Sequence, residues 1–374
     1  MKWKFYSLAF VAGMSILTAC SSDDNNDNDG NGGNGNGNEI ENGTILKGTI
    51  TSDVTLAAGN TYKLSGEYIV EEGATLHIEE GVKIIAVYDD IADYILVKQG
   101  GKINAVGTPD KPIVMTSEKE EPGAWGGIHI CGRAHTNAEG GKGSSEIGGA
   151  VYGGNDDADN SGTLQYIRLE YTGFAFDEEH EANGISFYGV GNGTIVDHCQ
   201  AYKGSDDGFE FFGGSVNVSN LVAVSCSDDS FDWTEGWNGK GTNLVAYQEA
   251  ESTLGYDCDC LMECDNNGSN NAATPVAHPV LKNLILVGNG GSKQGIRLRA
   301  GTEVEIDNAK VCGKGQPLTV ETALTENALK NGTSKLTNIT LTSELSSKEG
   351  IYTHADFIAV TSNKVDANLS YSSF

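Results

Sequence analysis

Positively charged residues are scarce in this sequence of 374 residues, which has 24 Lys and Arg against 52 Asp and Glu and a formal net charge of −28. Such a charge excludes nucleic-acid binding through the overall field of the protein, because the phosphates would be repelled. Proline is also scarce, at 6 residues, whereas glycine reaches 50. Without a collagen period, this composition favours many short strands and tight turns. Apolar residues make up 38%, enough for a core but too few for a helical membrane protein.

The N-terminal sequence predicts an export signal. Lys2 and Lys4 precede an apolar stretch that ends at Leu17, too short to span a bilayer and typical of a signal-peptide core. The segment Leu17-Thr18-Ala19-Cys20 resembles a lipobox, in which cleavage before the cysteine is followed by lipidation of its thiol. We therefore predict a signal peptide over residues 1–19 and a membrane anchor at Cys20. The alternative is an ordinary signal peptide with a chance cysteine.

The segment after Cys20 predicts a disordered tether over residues 20–41, because its Asp, Asn and Gly residues have almost nothing apolar to bury. Its first acids, Asp23 and Asp24, resemble the surface-export signal of Bacteroides-type lipoproteins. The expected location is the outer membrane, with the body anchored by lipid and exposed on the cell surface.

Internal repeats predict the architecture. The segment Val70–Leu76 recurs 27 residues later as Val97–Ile103. A second series of tetrapeptides begins at Tyr166, His198, Asn220, Asn243, Asn283, Asn308 and Asn338, and each reads as a short strand with period two. Such short units cannot bury a core alone, so they predict an all-β fold, a right-handed, single-stranded parallel β-helix (solenoid) over residues 42–374. We expect insertions near 134–162 and 247–260 and a C-terminal cap after about residue 340.

A third series places one polar residue between two apolar residues in each coil. Equivalent residues of adjacent coils stack about 4.8 Å apart, so these polar residues should form one outward column. The column contains His129, Ser186, Glu210, Asp232, Glu263 and Arg297.

An acidic motif within this series is duplicated, as Ser205–Glu210 and Ser227–Asp232. Two carboxylates one coil apart would repel by roughly 3 kcal/mol at an effective dielectric constant near 20, so a dense stack favours a bound cation. We predict Ca²⁺, which accepts many oxygen ligands in loose geometry. The predicted ligands are Asp206, Asp207, Glu210, Asp228, Asp229, Asp232 and Glu263. The alternative is solvated surface charge.

The cysteines do not predict a zinc site, because Cys258, Cys260 and Cys264 have no paired histidine. Thiols outside the cell tend to oxidise, so we expect a disulfide within this group, with its pairing left open. Cys199 takes an apolar position and is expected to be a buried free thiol.

Several segments together resemble a family of Bacteroidetes surface β-helix lipoproteins of largely unassigned function. They are Val70–Leu76, Pro112–Ser117, Trp125–Ile128, Asp206–Glu210 with Gly213-Gly214, and Ile296–Gly301. The element Asp206–Glu210 is also similar to one in Ca²⁺-dependent pectate lyases, and this resemblance implies that Asp206, Asp207 and Glu210 hold the metal. Two departures stand out: the last acid is Glu where those lyases have Asp, and the second copy has Ser230 in place of glycine.

The lyase resemblance implies a Lys or Arg base that removes a proton from a uronate beside Ca²⁺. The candidates are Arg297, Arg299, Lys203 and Lys240, and the alternative for the arginines is a salt bridge to Glu263 or Glu303. A glycoside hydrolase would need further carboxylates with His-Gly and Arg-x-Lys elements. Its match is poorer, because Arg297-Leu298-Arg299 is only partial and no fitting His-Gly occurs.

The competing function is non-catalytic binding of a glycan or a partner protein, which the lack of a clear base favours. Aromatic residues beside the acid column would stack on sugars, with Trp237 as an exposed platform and Trp233 and Arg297 as further binding residues. An outer-membrane transporter or surface complex is the expected protein partner.

Overall fold

The structure is a computed structural model that describes residues 38–89, 91–176 and 180–373. The predicted signal peptide, the lipid anchor at Cys20 and most of the tether lie outside the described residues. No helix in the described part is long and apolar enough to cross a membrane.

Strands dominate the described residues, and the strands of one 26-stranded sheet pair in parallel, while β11 and β12 form a separate antiparallel pair. The strands are β1 (Asn38–Ile40), β2 (Ile45–Ile50), β3 (Val54–Leu56), β4 (Thr61–Val70), β5 (Thr75–Ile78), β6 (Lys83–Ala86), β7 (Tyr94–Val97), β8 (Lys102–Val106), β9 (Ile113–Ser117), β10 (Ile128–Cys131), β11 (Gly143–Ser144), β12 (Val151–Tyr152), β13 (Gly162–Glu170), β14 (Ile185–Tyr188), β15 (Ile195–Tyr202), β16 (Phe209–Phe212), β17 (Asn217–Ser219), β18 (Val222–Val224), β19 (Phe231–Thr234), β20 (Lys240–Tyr247), β21 (Met262–Cys264), β22 (Val280–Val287), β23 (Gln294–Leu298), β24 (Glu305–Cys312), β25 (Gln316–Val320), β26 (Lys335–Leu341), β27 (Ser346–Ser347) and β28 (Lys364–Val365). The helices are α1 (Glu251–Leu254), α2 (Ala323–Asn331) and α3 (His354–Ala359), with 3₁₀ turns at Glu139–Gly141 and Tyr371–Ser373.

The paired strands form three stacked faces, A, B and C. Face A contains the ends of β2 and β4 followed by β7, β10, β14, β16, β19, β21, β23, β25 and β27. Face B contains β1, β3, β5, β8, β17 and the first halves of β13, β15, β20, β22, β24 and β26. Face C contains the starts of β2 and β4, then β6, β9, β18, β28 and the second halves of the same six strands. These stacked coils confirm the parallel β-helix.

The described coils begin ahead of the predicted boundary at residue 42, since β1 starts at Asn38 and pairs with β3. They end beyond β26, where α3 buries Phe357 completely in the core. The insertions lie where the sequence places them: β11 and β12 interrupt the coil between β10 and β13, and α1 lies between β20 and β21.

One residue with a left-handed backbone turns the chain from face B to face C in seven coils. These are the first residues of the second repeat series: Tyr166, His198, Asn220, Asn243, Asn283, Asn308 and Asn338, with φ between 52° and 62°. Asparagine tolerates this conformation better than most residues. The side chains of Asn243, Asn283 and Asn308 each donate a hydrogen bond to the preceding asparagine, at 2.8–2.9 Å. These residues are therefore corners rather than the plain strand positions that the period-two pattern predicted.

Inward side chains fill the interior in stacked layers. The rings of Phe187 and Phe211 stack with centroids 5.0 Å apart, and those of Phe209 and Phe231 stack at 5.6 Å. Each fully buried ring contributes roughly 1.5–3 kcal/mol through removal of apolar area from water. This core fixes the orientation of face A, because alternate residues of each strand must point away from it.

Candidate metal centre

The third repeat series forms one column on face A, as the repeats predict. The pairing register places His129 beside Ser186, Ser186 beside Glu210, Glu210 beside Asp232, Asp232 beside Glu263 and Glu263 beside Arg297. The acids point outward because their neighbours, such as Phe209 and Phe211, occupy the core.

The start of this column is not at the surface. His129 and Ser186 are fully buried. A second apolar cluster outside the coils covers this end of face A, in which Ile147 and Tyr152 of the first insertion pack with Leu96, Tyr188 and Phe212. The insertion therefore covers the start of the column, and its partly exposed stretch runs from Glu210 to Arg297.

The second acid of each copy of the duplicated motif lies in a turn: Asp207 before β16 and Asp229 before β19. Asp207 accepts a hydrogen bond from the backbone amide of Asp229 at 2.8 Å, and Asp229 accepts one from the amide of Cys260 at 2.6 Å. Asn183 takes the same role one coil earlier, where its side-chain oxygen accepts from the amide of Asp207 at 3.2 Å. These side chains connect successive coils directly below the outward acids.

The predicted ligands come together on face A. Several sets of three side chains have ligand atoms that all lie within 4.8 Å of one another. The sets are Asp207, Glu210 and Asp232; Asp229, Asp232 and Glu263; Asp207, Asp228 and Asp229; Glu181, Asp206 and Asp228; and Asp229, Asp259 and Cys260. Asp232 belongs to two of them, and all seven predicted acids appear in at least one.

Burial and mutual repulsion raise the pKa values of these carboxyl groups. Burial first, and then the nearby charge of Glu181, raise the pKa of Asp206 to about 8. Burial and Asp259 raise the pKa of Asp228 to about 6. The pKa values of Asp207, Glu210, Asp229 and Asp232 lie well above the usual range for the same two kinds of reason. Without a cation, this cluster favours protonated carboxyl groups at neutral pH.

Asp232 shows most directly that the nearby arginines do not neutralise the cluster, because burial and neighbouring acids raise its pKa although Arg299 opposes the shift. Its Oδ1 atom is buried and has no hydrogen-bond partner in the described structure. A buried carboxylate oxygen without a partner is costly, and a cation coordinated by Asp229, Asp232 and Glu263 would remove that cost. The donor atoms of this set are all oxygens, as Ca²⁺ prefers.

The predicted ligand set leaves out three acids that contribute to this centre. Glu146 lies in the first insertion, and burial, followed by the charges around it, raises its pKa to about 7. Glu181 completes one carboxylate set, and Asp259 joins Asp229 and the thiol of Cys260 in another set. None of the three occupies a repeated position, and only Asp259, at the end of the second insertion and close to the duplicated motif, had a signal in the sequence.

The candidate bases are engaged in ion pairs or lie elsewhere. Arg297 contacts Glu263 at 2.8 Å and Glu321 at 3.3 Å, while Arg299 contacts Glu263 at 2.6 Å and Asp265 at 2.7 Å. These acids hold the pKa values of both arginines above the usual range although burial opposes the shift.

The salt-bridge alternative for the arginines is therefore confirmed for Glu263, but not for Glu303, which contacts His278 instead. Lys203 contacts Glu249 at 3.1 Å. Lys240 is exposed on face B, away from the acid column.

Two further expectations are wrong. Trp237 is 1% exposed and Trp233 is fully buried, so neither offers a platform for sugars. Trp237 stacks on Phe211 inside the coils, with centroids 4.1 Å apart.

The expected disulfide is also absent from the described residues, where Cys258, Cys260 and Cys264 are free and buried. Cys199 is a buried free thiol, as its apolar position predicts.

Comparison with known proteins agrees with the coiled architecture. The family described as a pectate-lyase-like β-helix domain matches residues 48–373. No curated protein and no solved structure matches the chain. The protein belongs to the family of pectate-lyase-like β-helix domains.

Proposed function

We propose that face A binds Ca²⁺ and that the protein is a non-catalytic module that binds glycan along this face, displayed on the outer membrane by lipid at Cys20. The single observation that carries the cation is the stack of buried carboxyl groups around Asp232, whose Oδ1 atom has no partner. Within this stack, Arg297 and Arg299 neutralise Glu263 and Asp265 only. The other carboxyl groups of the stack therefore need protons or a bound cation, and a cation can supply the charge at neutral pH.

Calcium fits the donor set better than a transition metal. Four of the five sets among the described residues contain only carboxylate oxygens, and the fifth adds the thiol of Cys260. Hard oxygen donors select Ca²⁺ or Mg²⁺, and the irregular arrangement over several coils suits the flexible coordination of Ca²⁺.

The contacts of the basic residues support binding rather than turnover. Arg297 and Arg299 carry raised pKa values and are each paired with two acids, so neither is ready to accept a proton. Burial lowers the pKa of Lys314, but this side chain is 4% exposed and donates to the carbonyl of Cys258 and to Asn289 at 2.9 Å. It supports the wall of the coil and does not face a polymer.

The alternative is a Ca²⁺-dependent lyase, or a glycoside hydrolase, acting on acidic polysaccharide. The family match and the element Asp206–Glu210 favour it. The lyase is tested by incubating the protein with polygalacturonate in Ca²⁺ and measuring the ultraviolet absorbance of unsaturated uronates. Release of these products would indicate the lyase, and no release would favour the binding module.

The cation is tested by thermal unfolding in Ca²⁺ and in chelator. At a Ca²⁺ concentration about 100 times the Kd, binding to the folded state alone stabilises it by about 2.7 kcal/mol. We expect Asp232→Asn to remove most of this gain, since it withdraws the carboxylate shared by two sets. Asp232 Oδ1 accepts no hydrogen bond, so the amide disturbs few contacts.

The matched control is Asp110→Asn, an exposed acid in the turn between β8 and β9. It should keep the full response to Ca²⁺. A melting curve of the unmodified protein that is the same in Ca²⁺ and in chelator would falsify the metal centre.

A further inference from the structure

A polar pocket borders the acidic cluster where β19 ends. It encloses about 690 Å³ between the first insertion and the loop after β21, within the range of ligand pockets. Its lining includes Asn137, Glu139, Thr234, Glu235, Asn267 and Asn270. Thr234 and Glu235 directly follow Asp232 and Trp233 in the chain, so the pocket and the metal centre share one strand.

The pocket is held in shape by a network of buried amides. The side-chain amide of Asn137 donates to Asn266 Oδ1 at 2.8 Å and to the carbonyl of Pro275 at 3.0 Å. Asn267 donates to Asn137 Oδ1 at 3.0 Å. Because Asn137 is 8% exposed and Asn266 is fully buried, these bonds fix the two walls relative to each other.

The side chains of Glu235 and Asn270 supply acceptor and donor groups to this pocket. One oxygen of Glu235 accepts from Thr136 at 2.6 Å and from Tyr152 at 2.8 Å, which orients the carboxylate. The Asn270 oxygen accepts from the amide of Ala272 at 3.3 Å. Glu235 is half-buried and Asn270 is exposed, so polar atoms of both side chains are accessible to a ligand.

We propose that this pocket binds an uncharged, hydroxyl-rich sugar unit of a polysaccharide. The carboxylate of Glu235 and the amide nitrogen of Asn270 both line the pocket and match the acceptor and donor roles of sugar hydroxyls. Glu139 and Glu235 supply negative charge, and none of the described lining residues supplies positive charge, so a uronate unit is disfavoured. The inference rests on the proposed glycan-binding function and names the class of sugar that it recognises.

The test is calorimetric titration of the full chain, in Ca²⁺, with a panel of neutral hexasaccharides of glucose, mannose, xylose, galactose and N-acetylglucosamine, and with hexagalacturonate. We expect at least one neutral hexasaccharide to bind and hexagalacturonate not to bind at this pocket. Asn270→Ala should weaken the binding about tenfold or more, through loss of one hydrogen bond to sugar. The control is Asn327→Ala on α2, where the exposed side chain only contacts the helix backbone, and it should bind as the unmodified protein does.

The outcomes separate this inference from the metal centre. If the melting temperature responds to Ca²⁺ but no neutral hexasaccharide binds, the pocket proposal is wrong and the metal centre stands. Binding that Asn270→Ala leaves unchanged also overturns it, as does tighter binding of hexagalacturonate that Asn270→Ala weakens. Neutral-sugar binding that persists in chelator and depends on Asn270 supports the pocket even if the metal centre fails.

Discussion

The indole of Trp237 lies inside the solenoid, where it stacks on Phe211 at 4.1 Å and its nitrogen donates to the carbonyl of Val216 at 3.2 Å. Replacing it with alanine leaves a large cavity and an unpaired carbonyl. We therefore expect Trp237→Ala to lower the free energy of unfolding by about 4 kcal/mol, measured by chemical denaturation. The control Tyr88→Ala removes an aromatic ring that is 54% exposed and should cost far less. A Trp237→Ala protein of unchanged stability with weakened glycan binding would instead restore the platform hypothesis.

Alternation predicts the orientation of residues within strands but not beyond their ends. It placed Glu210 and Asp232 outward and Phe209 and Phe231 inward, as the structure does. Trp237 follows the end of β19, where the period-two alternation of a strand no longer applies. Its indole packs into the core because an indole buries a large apolar area. The prediction that Trp237 is exposed was wrong because it rested on the aromatic residue type alone.

At the scale of elements, α2 is tied to the C-terminal segment by one buried carboxylate. Glu326 is fully buried and accepts from the Ser347 hydroxyl and the amides of Glu349, Ile351 and Tyr352, at 2.6–3.0 Å. Burial by itself would raise the pKa of Glu326, but these hydrogen bonds outweigh it and hold the pKa below its usual value of 4.5. We expect Glu326→Gln to cost about 3 kcal/mol at neutral pH, because an amide nitrogen then faces two donors.

The contribution of Glu326 to the stability of the fold should depend on pH. A carboxyl group with a lowered pKa stabilises the fold above its unfolded pKa and loses that contribution as the pH falls through its folded value. The difference in unfolding free energy between the unmodified protein and Glu326→Gln should therefore shrink below about pH 4.5. Denaturant titrations at several pH values measure this difference in unfolding free energy. The control is Glu344→Gln, because Glu344 is an exposed acid. A difference that stays constant into acid would argue against an ionised Glu326.

The repeats predicted the coils better than the insertions. Pairs such as Val70 with Val97 and Leu76 with Ile103 are in register because each coil must present the same residue types to the core. Insertions escape that rule, so nothing in the sequence pattern placed Glu146 beside the acid column or Asn137 in the pocket wall. The candidate site was therefore predictable where it lies on strands, and its loop contributions were not.

At the scale of the whole molecule, the acidic stack makes stability depend on both pH and cation. In chelator, the folded state holds protons on carboxyl groups such as Asp206, whose pKa is raised to about 8, and Asp228, whose pKa is raised to about 6. The unfolded chain releases these protons near pH 4, so between about pH 4 and about pH 8 the folded state binds more protons than the unfolded state. Stability without cation must then fall as the pH rises through this interval.

Calcium reverses this trend, because it binds the deprotonated carboxylates and replaces their protons. We expect the melting temperature in chelator to drop by about 5 °C or more between about pH 5 and about pH 8. In saturating Ca²⁺ the same interval should be flat or rising. Thermal scans at matched ionic strength measure both series, and Asp232→Asn should weaken the fall in chelator by removing one carboxyl group of raised pKa. A melting temperature in chelator that rises steadily over this interval would contradict a stack of acids with raised pKa values and would indicate that the acids of face A are ordinary solvated charges.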